Sequence, residues 1–388
     1  MRSILLRRRL AVLLAMALAM LAAAACSSGG SGKSATATPR PLYTLDAATA
    51  LGPYAVGVRS FEFVDTSRPT AANGDYPGST ERKLVTEVWY PAQADRSAAD
   101  AVRDATVDVS GGPYPLIVFA HGFIGSRNQS RTYTKHLASH GYIVAAPDFP
   151  LTNAGAPGGP RIGDLVNQPG DVSFVIDSML AQSADAASPL HGAVDGDAIG
   201  LTGHSLGAFT TLLTVYGGRR DPRVKAALPI SGSGCFLTEA QTAGVDTPIM
   251  LLTGSADEIV APGGNRRAYD LAHAPRYWVQ LTGGNHIRFA DVDAEDGPAA
   301  AALRRITGGG RGPGAAAAAS ACTAPESYEG ETIKLARQQE LLRAFATPFF
   351  DAYLKRDGHA LQFLQRELPE ATRGAADYEF DAADTLSP

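Results

Sequence analysis

From position 115 onward the chain alternates short, almost wholly apolar runs with stretches of helical character, and no other feature restricts its fold as strongly. The runs occupy 116–120, 142–146, 198–202, 224–230, 248–253 and 276–281. A strand with one wet face alternates apolar and polar residues, whereas a strand covered on both faces loses that alternation. Helices over 131–139, 171–180, 206–216 and 265–273 fit between the runs, and 332–354 supplies a long closing helix. Such a rhythm yields a doubly wound, mostly parallel sheet with helices on both faces, one α/β domain rather than two. Upstream, 54–64 and 84–90 do alternate, so an antiparallel pair is expected at the N-terminal edge, joined through the turn cluster 73–78. The chain has 388 residues and is 45% apolar, enough to bury a sizeable core.

Two segments fall outside this rhythm. Residues 1–25 join Arg2, Arg7, Arg8 and Arg9 to an apolar run too short for a comfortable membrane span, the layout of an export signal. Small residues precede Cys26, which resembles the lipidation site of bacterial lipoproteins, although Ala23 stands where leucine is usual. An extracytoplasmic protein is expected, lipid-anchored through Cys26 to the cell surface or else secreted. Residues 26–44, rich in Ser, Gly, Thr and Pro, read as a flexible tether to a folded domain over 45–388. The second segment, 291–330, is a Gly/Ala-rich insertion before the closing helix. Cys235 and Cys322 remain once Cys26 is assigned, and outside the cytoplasm they are expected to form a disulfide. Formal net charge is −5 with no basic run beyond the extreme N-terminus, which argues against nucleic acid as a partner. A monomer is expected, with the membrane reached only through the anchor.

The chemistry centres on Gly203-His204-Ser205-Leu206-Gly207, a G-x-S-x-G pattern set directly after a strand and directly before a helix. In that setting the serine sits on a sharp turn, and glycines on either side let neighbouring backbone approach. The hydroxyl stands above the strand ends, where the helix N-terminus favours negative charge. A serine hydroxyl becomes a useful nucleophile when a histidine takes its proton, and that histidine needs an orienting carboxylate. Partners of an elbow serine follow it in the chain, which leaves His273, His286 and His359. His273 falls within a helical stretch and His359 beyond the closing helix, whereas His286 follows a strand in a glycine-rich loop and is the expected general base. Asp257, just past the 248–253 run, is the expected acid; its neighbour Glu258 is expected to face solvent or to steady the loop. Asp148 ends a strand but precedes Ser205, so it is expected to bond loop amides. An oxyanion needs two fixed N–H donors. The amides of Leu206 and Phe123 are the expected pair, with His121 a structural loop histidine. Neither a Walker phosphate loop nor an HExxH or CxxC pattern occurs, so no cofactor and no metal are expected.

Residues 53–365 resemble a bacterial branch of the α/β-hydrolases, between platelet-activating-factor acetylhydrolase-like proteins, predicted dienelactone hydrolases and cutinase-like polyester hydrolases. The resemblance is carried by 86–92, 119–123, 137–142, the Ser205 elbow, 254–257 and 283–286. It implies the α/β-hydrolase fold and acyl-transfer chemistry. Dienelactone hydrolases use a cysteine nucleophile, and position 205 is serine. The acetylhydrolases take their acid soon after the strand that follows the nucleophile helix, where this chain has Ser231 to Cys235 and no carboxylate. The layout with Asp257 is closer to that of the polyester hydrolases, which usually set a tryptophan beside the cleft. Trp89 and Trp278 both fall in expected strands and read as core. The resulting expectation is an exported serine carboxylic-ester hydrolase, esterase- or lipase-like, working through an acyl-enzyme on a small, lipid or polymeric ester. Polyester hydrolysis, phospholipid deacetylation, and amide, peptide or lactone hydrolysis on the same residues are alternatives. A surface-anchored binding protein with a dormant site is the alternative from another class.

Overall fold

The computed structural model describes residues 43–292 and 328–382. The expected export signal, Cys26, Cys322 and most of the tether and insertion lie outside the described residues. Tyr43 and Thr44, which the sequence assigned to the tether, belong to the folded body. The Tyr43 hydroxyl donates to Asp351 at 2.7 Å, and Thr44 Oγ1 caps the short helix Leu45–Thr49 by accepting the Ala47 amide at 3.1 Å.

Ten strands form one sheet among the described residues: β1 (Ala55–Asp65), β2 (Arg82–Ala92), β3 (Val102–Arg103), β4 (Tyr114–Ala120), β5 (Ile143–Pro147), β6 (Val194–His204), β7 (Val224–Ile230), β8 (Ile249–Gly254), β9 (Arg276–Leu281) and β10 (Ala376–Asp381). Their order is β10-β9-β8-β7-β6-β4-β5-β2-β1-β3. All neighbours from β5 to β9 pair in parallel, and β4, β5 and β8 are buried along their whole length, as uninterrupted apolar runs require. The β1–β2 pair is antiparallel, in register from Ala55 opposite Ala92 to Asp65 opposite Arg82. The sheet also has an antiparallel far edge. Strand β10 pairs with β9, and its acidic residues Glu379 and Asp381 are met by Arg266 and Arg276. Its mostly exposed, acidic sequence gave no apolar run to read.

The long helices are α1 (Arg131–Ser139), α2 (Gln168–Ala184), α3 (Leu206–Tyr216), α4 (Pro262–Leu271) and α5 (Leu335–Leu354). Side chains of β4 alternate between two cores. Leu116 and Val118 pack with α2, α3 and α4, whereas Ile117 and Phe119 pack with α1 and α5. Helix α5 alone buries Leu341, Leu342, Phe345, Phe349 and Phe350, each worth roughly 1.5–3 kcal/mol when fully removed from water. Trp89 is buried in the second core; Trp278 is half-buried against the first.

The chain leaves β4 toward β5 on one side and returns to pair β6 on the other. Strand order therefore reverses at β4, and loops leaving β4 and β6 diverge across a crevice at their C-terminal ends. The turn Ile162–Asn167, whose Leu165 packs against Phe123 and Leu206, is tied down by a buried charge cluster. Arg82 Nε donates to Asp171 Oδ1 at 2.8 Å, and its Nη2 donates to Asp171 Oδ2 at 2.7 Å and Asp164 Oδ2 at 2.8 Å. Removing one partner of such a cluster strands its opposite charges away from water. Arg82→Met is expected to cost about 3–5 kcal/mol in denaturant unfolding, whereas Lys83→Met, which breaks the exposed Lys83–Glu62 pair, costs less than about 1 kcal/mol. Equal losses for the two variants would contradict the assignment.

Four histidines lie buried, and in three of them, His121, His136 and His204, burial is the first cause that lowers the imidazole below its usual pKa. Each of these three stays neutral in the folded chain at pH values where the unfolded chain takes up a proton. Stability is therefore expected to fall as pH drops below about 6.5, by up to about 1.4 kcal/mol per pH unit for each group. Denaturant midpoints compared at about pH 7.5 and about pH 5 check this, before most carboxylates titrate; an unchanged midpoint would contradict it.

Candidate active site

Strand β6 ends at His204 and α3 begins at Leu206, so Ser205 alone makes the reversal between them. Its φ of 56° and ψ of −118° put a non-glycine residue at positive φ, a conformation that costs of order 1–3 kcal/mol unless its surroundings impose it. They do so here. A side chain at Gly207 would collide with the Ala120 carbonyl oxygen, and one at Gly203 with that of Gly207. The Ser205 amide is held by the Ile230 carbonyl at 2.9 Å. The sharp turn expected from the motif is thus present, pressed against the end of β4.

Asp257 and His286 come from loops after β8 and β9 and meet in a buried contact. His286 Nδ1 donates to Asp257 Oδ2 at 2.8 Å. Asp257 Oδ1 is occupied separately, accepting the amides of Ile259 at 3.0 Å and Val260 at 2.8 Å, so the carboxylate is fixed on both oxygens. The His286 ring lies 4.6 Å, centroid to centroid, from that of His204, the residue before Ser205. His286 Nε2 has no hydrogen-bond partner, and no Ser205–His286 bond is formed. Glu258 faces solvent. His273 and His359 are exposed; His273 lies beyond the end of α4, near Asp246 at 3.3 Å, rather than inside the helix.

The amides of Phe123 and Leu206 donate to nothing among the described residues, whereas the neighbouring Ile124 amide is bound to Thr152 O at 2.9 Å. Beside them, His121 donates from Nδ1 to the Gly122 carbonyl at 2.7 Å and accepts the Phe149 amide on Nε2 at 3.1 Å. That is the structural role expected of it. Asp148 accepts the Arg127 amide at 2.5 Å and pairs with the Arg127 guanidinium, so it too secures this loop.

Several residues here were not legible in the sequence. Helix α5 holds the His286 loop through Gln338, which accepts the Asn285 amide at 3.0 Å and donates to the Asn285 carbonyl at 2.7 Å. Gln129 joins the loop after β4 to the turn at Ser205, bonding Gly122 and His204. Phe123 and Leu206 form a small apolar cluster with Ile124, Leu165, Ile259 and Ile287. Two of these isoleucines follow the acid and the base closely in the chain, a proximity that could have been noticed.

Comparison with known proteins agrees with this architecture. A family model described as PET hydrolase-like matches residues 105–299, just over half of the chain. A ferulic acid esterase from Streptomyces cinnamoneus superposes with a TM-score of 0.61 at 24% identity, covering 86% of this chain and 98% of that one, and shares its fold. Chlorophyllase-1 of Arabidopsis thaliana is 30% identical over 154 residues, 38% of this chain. The chain spans less than half, 45%, of that relative's length. On its sheet order, its elbow and the span of the family match, the chain belongs to the PET hydrolase-like family of α/β-hydrolases.

Proposed function

We propose that the protein is a serine carboxylic-ester hydrolase in which Ser205, His286 and Asp257 act as nucleophile, general base and orienting acid. The observation that carries this reading is the buried 2.8 Å bond from His286 to Asp257, beside a serine held at positive φ. Ser205 Oγ attacks the ester carbonyl carbon while His286 Nε2 takes its proton. The carbonyl oxygen becomes an oxyanion and accepts from the amides of Phe123 and Leu206. Collapse breaks the bond to the alcohol oxygen, which leaves with the proton from His286. Water then repeats the sequence on the acyl-enzyme and releases the acid. Asp257 keeps the Nδ1 proton in place, so that Nε2 is the basic nitrogen.

The apolar cluster of Phe123, Leu206, Ile124, Leu165, Ile259 and Ile287 supports an ester with an apolar group next to the scissile bond. The PET hydrolase-like match favours a second, narrower reading, hydrolysis of polyesters on the same residues. Clearing of an emulsified aliphatic polyester would support the narrower reading; turnover of soluble esters alone would leave only the broader one. Export, with lipidation at Cys26, and a Cys235–Cys322 disulfide belong to the same proposal. The bonded state of Cys235 supports the disulfide.

Turnover of a p-nitrophenyl ester tests the assignment. Ser205→Ala is expected to abolish it, and Asp257→Asn to lower kcat by about 10⁴-fold through the wrong imidazole tautomer. Wild-type protein is expected to react with a fluorophosphonate probe. A protein that stays unlabelled is a dormant site, and Ser205→Ala protein that keeps its turnover has another nucleophile.

A further inference from the structure

Strands β4 and β6 pair no further than Ala120 with Gly203, yet the groups expected to bind an oxyanion lie beyond that last pair, on Phe123 and Leu206. One side chain continues the tie. Gln129, just before the cap of α1, accepts the Gly122 amide on Oε1 at 2.8 Å, while its Nε2 lies 3.0 Å from Nδ1 of His204. Two glycines make room for it: a side chain at Gly125 would collide with Gln129 Oε1, and one at Gly122 would come within 3.3 Å of it.

The direction of every donor follows. A backbone amide can only donate, so the Gln129 oxygen faces Gly122 and its NH2 faces His204. His204 Nδ1 is then an acceptor, and the ring carries its proton on Nε2. The Gly122 carbonyl accepts from His121 Nδ1 at 2.7 Å and from the Gly125 amide at 3.0 Å. In a trans peptide the Phe123 N–H points opposite to that carbonyl, so anchoring the carbonyl aims the amide. Gln129 fixes the other end of the same residue.

We propose that Gln129 is a positioning residue that locks the oxyanion loop to the nucleophile elbow, setting the Phe123 amide through Gly122 and the elbow through His204. It touches no reacting atom. The inference rests on the reading of Ser205 and the two amides given above, and it adds the element that sets their spacing.

Gln129→Met keeps the bulk and loses both bonds. A 1 Å misplacement of a catalytic group costs about 10²-fold, so labelling by a fluorophosphonate probe and kcat on a p-nitrophenyl ester are both expected to fall by about that factor, with KM within about threefold of wild type. Gln129→Glu still accepts the Gly122 amide and can accept a hydrogen bond from Nδ1–H of the other His204 tautomer, so it is expected to recover to within about tenfold of wild type. Protection of the Gly122 amide from hydrogen exchange reads the bridge without any chemistry, and Gln129→Met is expected to lower it by about tenfold or more. If Gln129→Met does not fold, Gln129→Ala serves, since the smaller side chain fits the same space. Labelling and kcat within about threefold of wild type in a folded Met or Ala variant, a Glu variant no faster than it, or unchanged Gly122 protection would each overturn the proposal. Wild-type protein that resists the probe would count against Ser205, and Gly122 exchange would still decide the bridge.

Discussion

The closeness of the turn after β6 to the last residue of β4 is the constraint on which the rest of the site depends. Backbone there is packed so tightly that only hydrogen fits at Gly203 and Gly207. That approach forces Ser205 to positive φ, lifts its side chain clear of the sheet, and brings the start of α3 beside the loop that follows β4. Strain at one residue is held by two apolar cores, one on each face of the sheet, whose burial outweighs it many times over. Reversal of strand order at β4 supplies the crevice; tight packing at the elbow gives it a floor.

Beyond the strand ends, side chains take over from the sheet ladder. Asp257 accepts two amides of its own turn, Gln338 grips both the amide and the carbonyl of Asn285, and His121 and Gln129 hold Gly122 from opposite ends. Each buried polar group so paired resists movement, because leaving it unmatched costs about 1–3 kcal/mol. Loops held in this way keep their dipoles oriented before a substrate arrives, the arrangement that favours charge developing in a transition state. Ser205 and His286 are not hydrogen-bonded to each other, and His286 Nε2 is left without a partner.

Much of the fold can be read in the sequence because burial on two faces leaves a plain mark. The runs at 224–230 and 276–281 coincide with β7 and β9, and the elbow stands where its glycines require. Boundaries drifted where capping or loop geometry intervened, as at α4, which starts at Pro262 rather than 265. Strand β10 escaped notice because its acidic, mostly exposed sequence gives no apolar run, although Tyr378 and Phe380 stack on Tyr277 of β9. That Asp257 and His286 meet was legible from their places after strands. Gln129 and Gln338 were not, since polar residues next to or within a helix look alike whether they face water or a loop 75 or 53 residues away. Leu165 reaches the Phe123–Leu206 cluster from a turn that a buried arginine on β2 ties to α2.

Trapping the covalent intermediate is the most direct measurement. Rapid acid quench of wild-type protein during turnover of a p-nitrophenyl ester, followed by peptide mass mapping, should find the acyl mass on the peptide containing Ser205. Turnover with no acyl mass on that peptide, or with the acyl group on another residue, would contradict a mechanism through Ser205, His286 and Asp257.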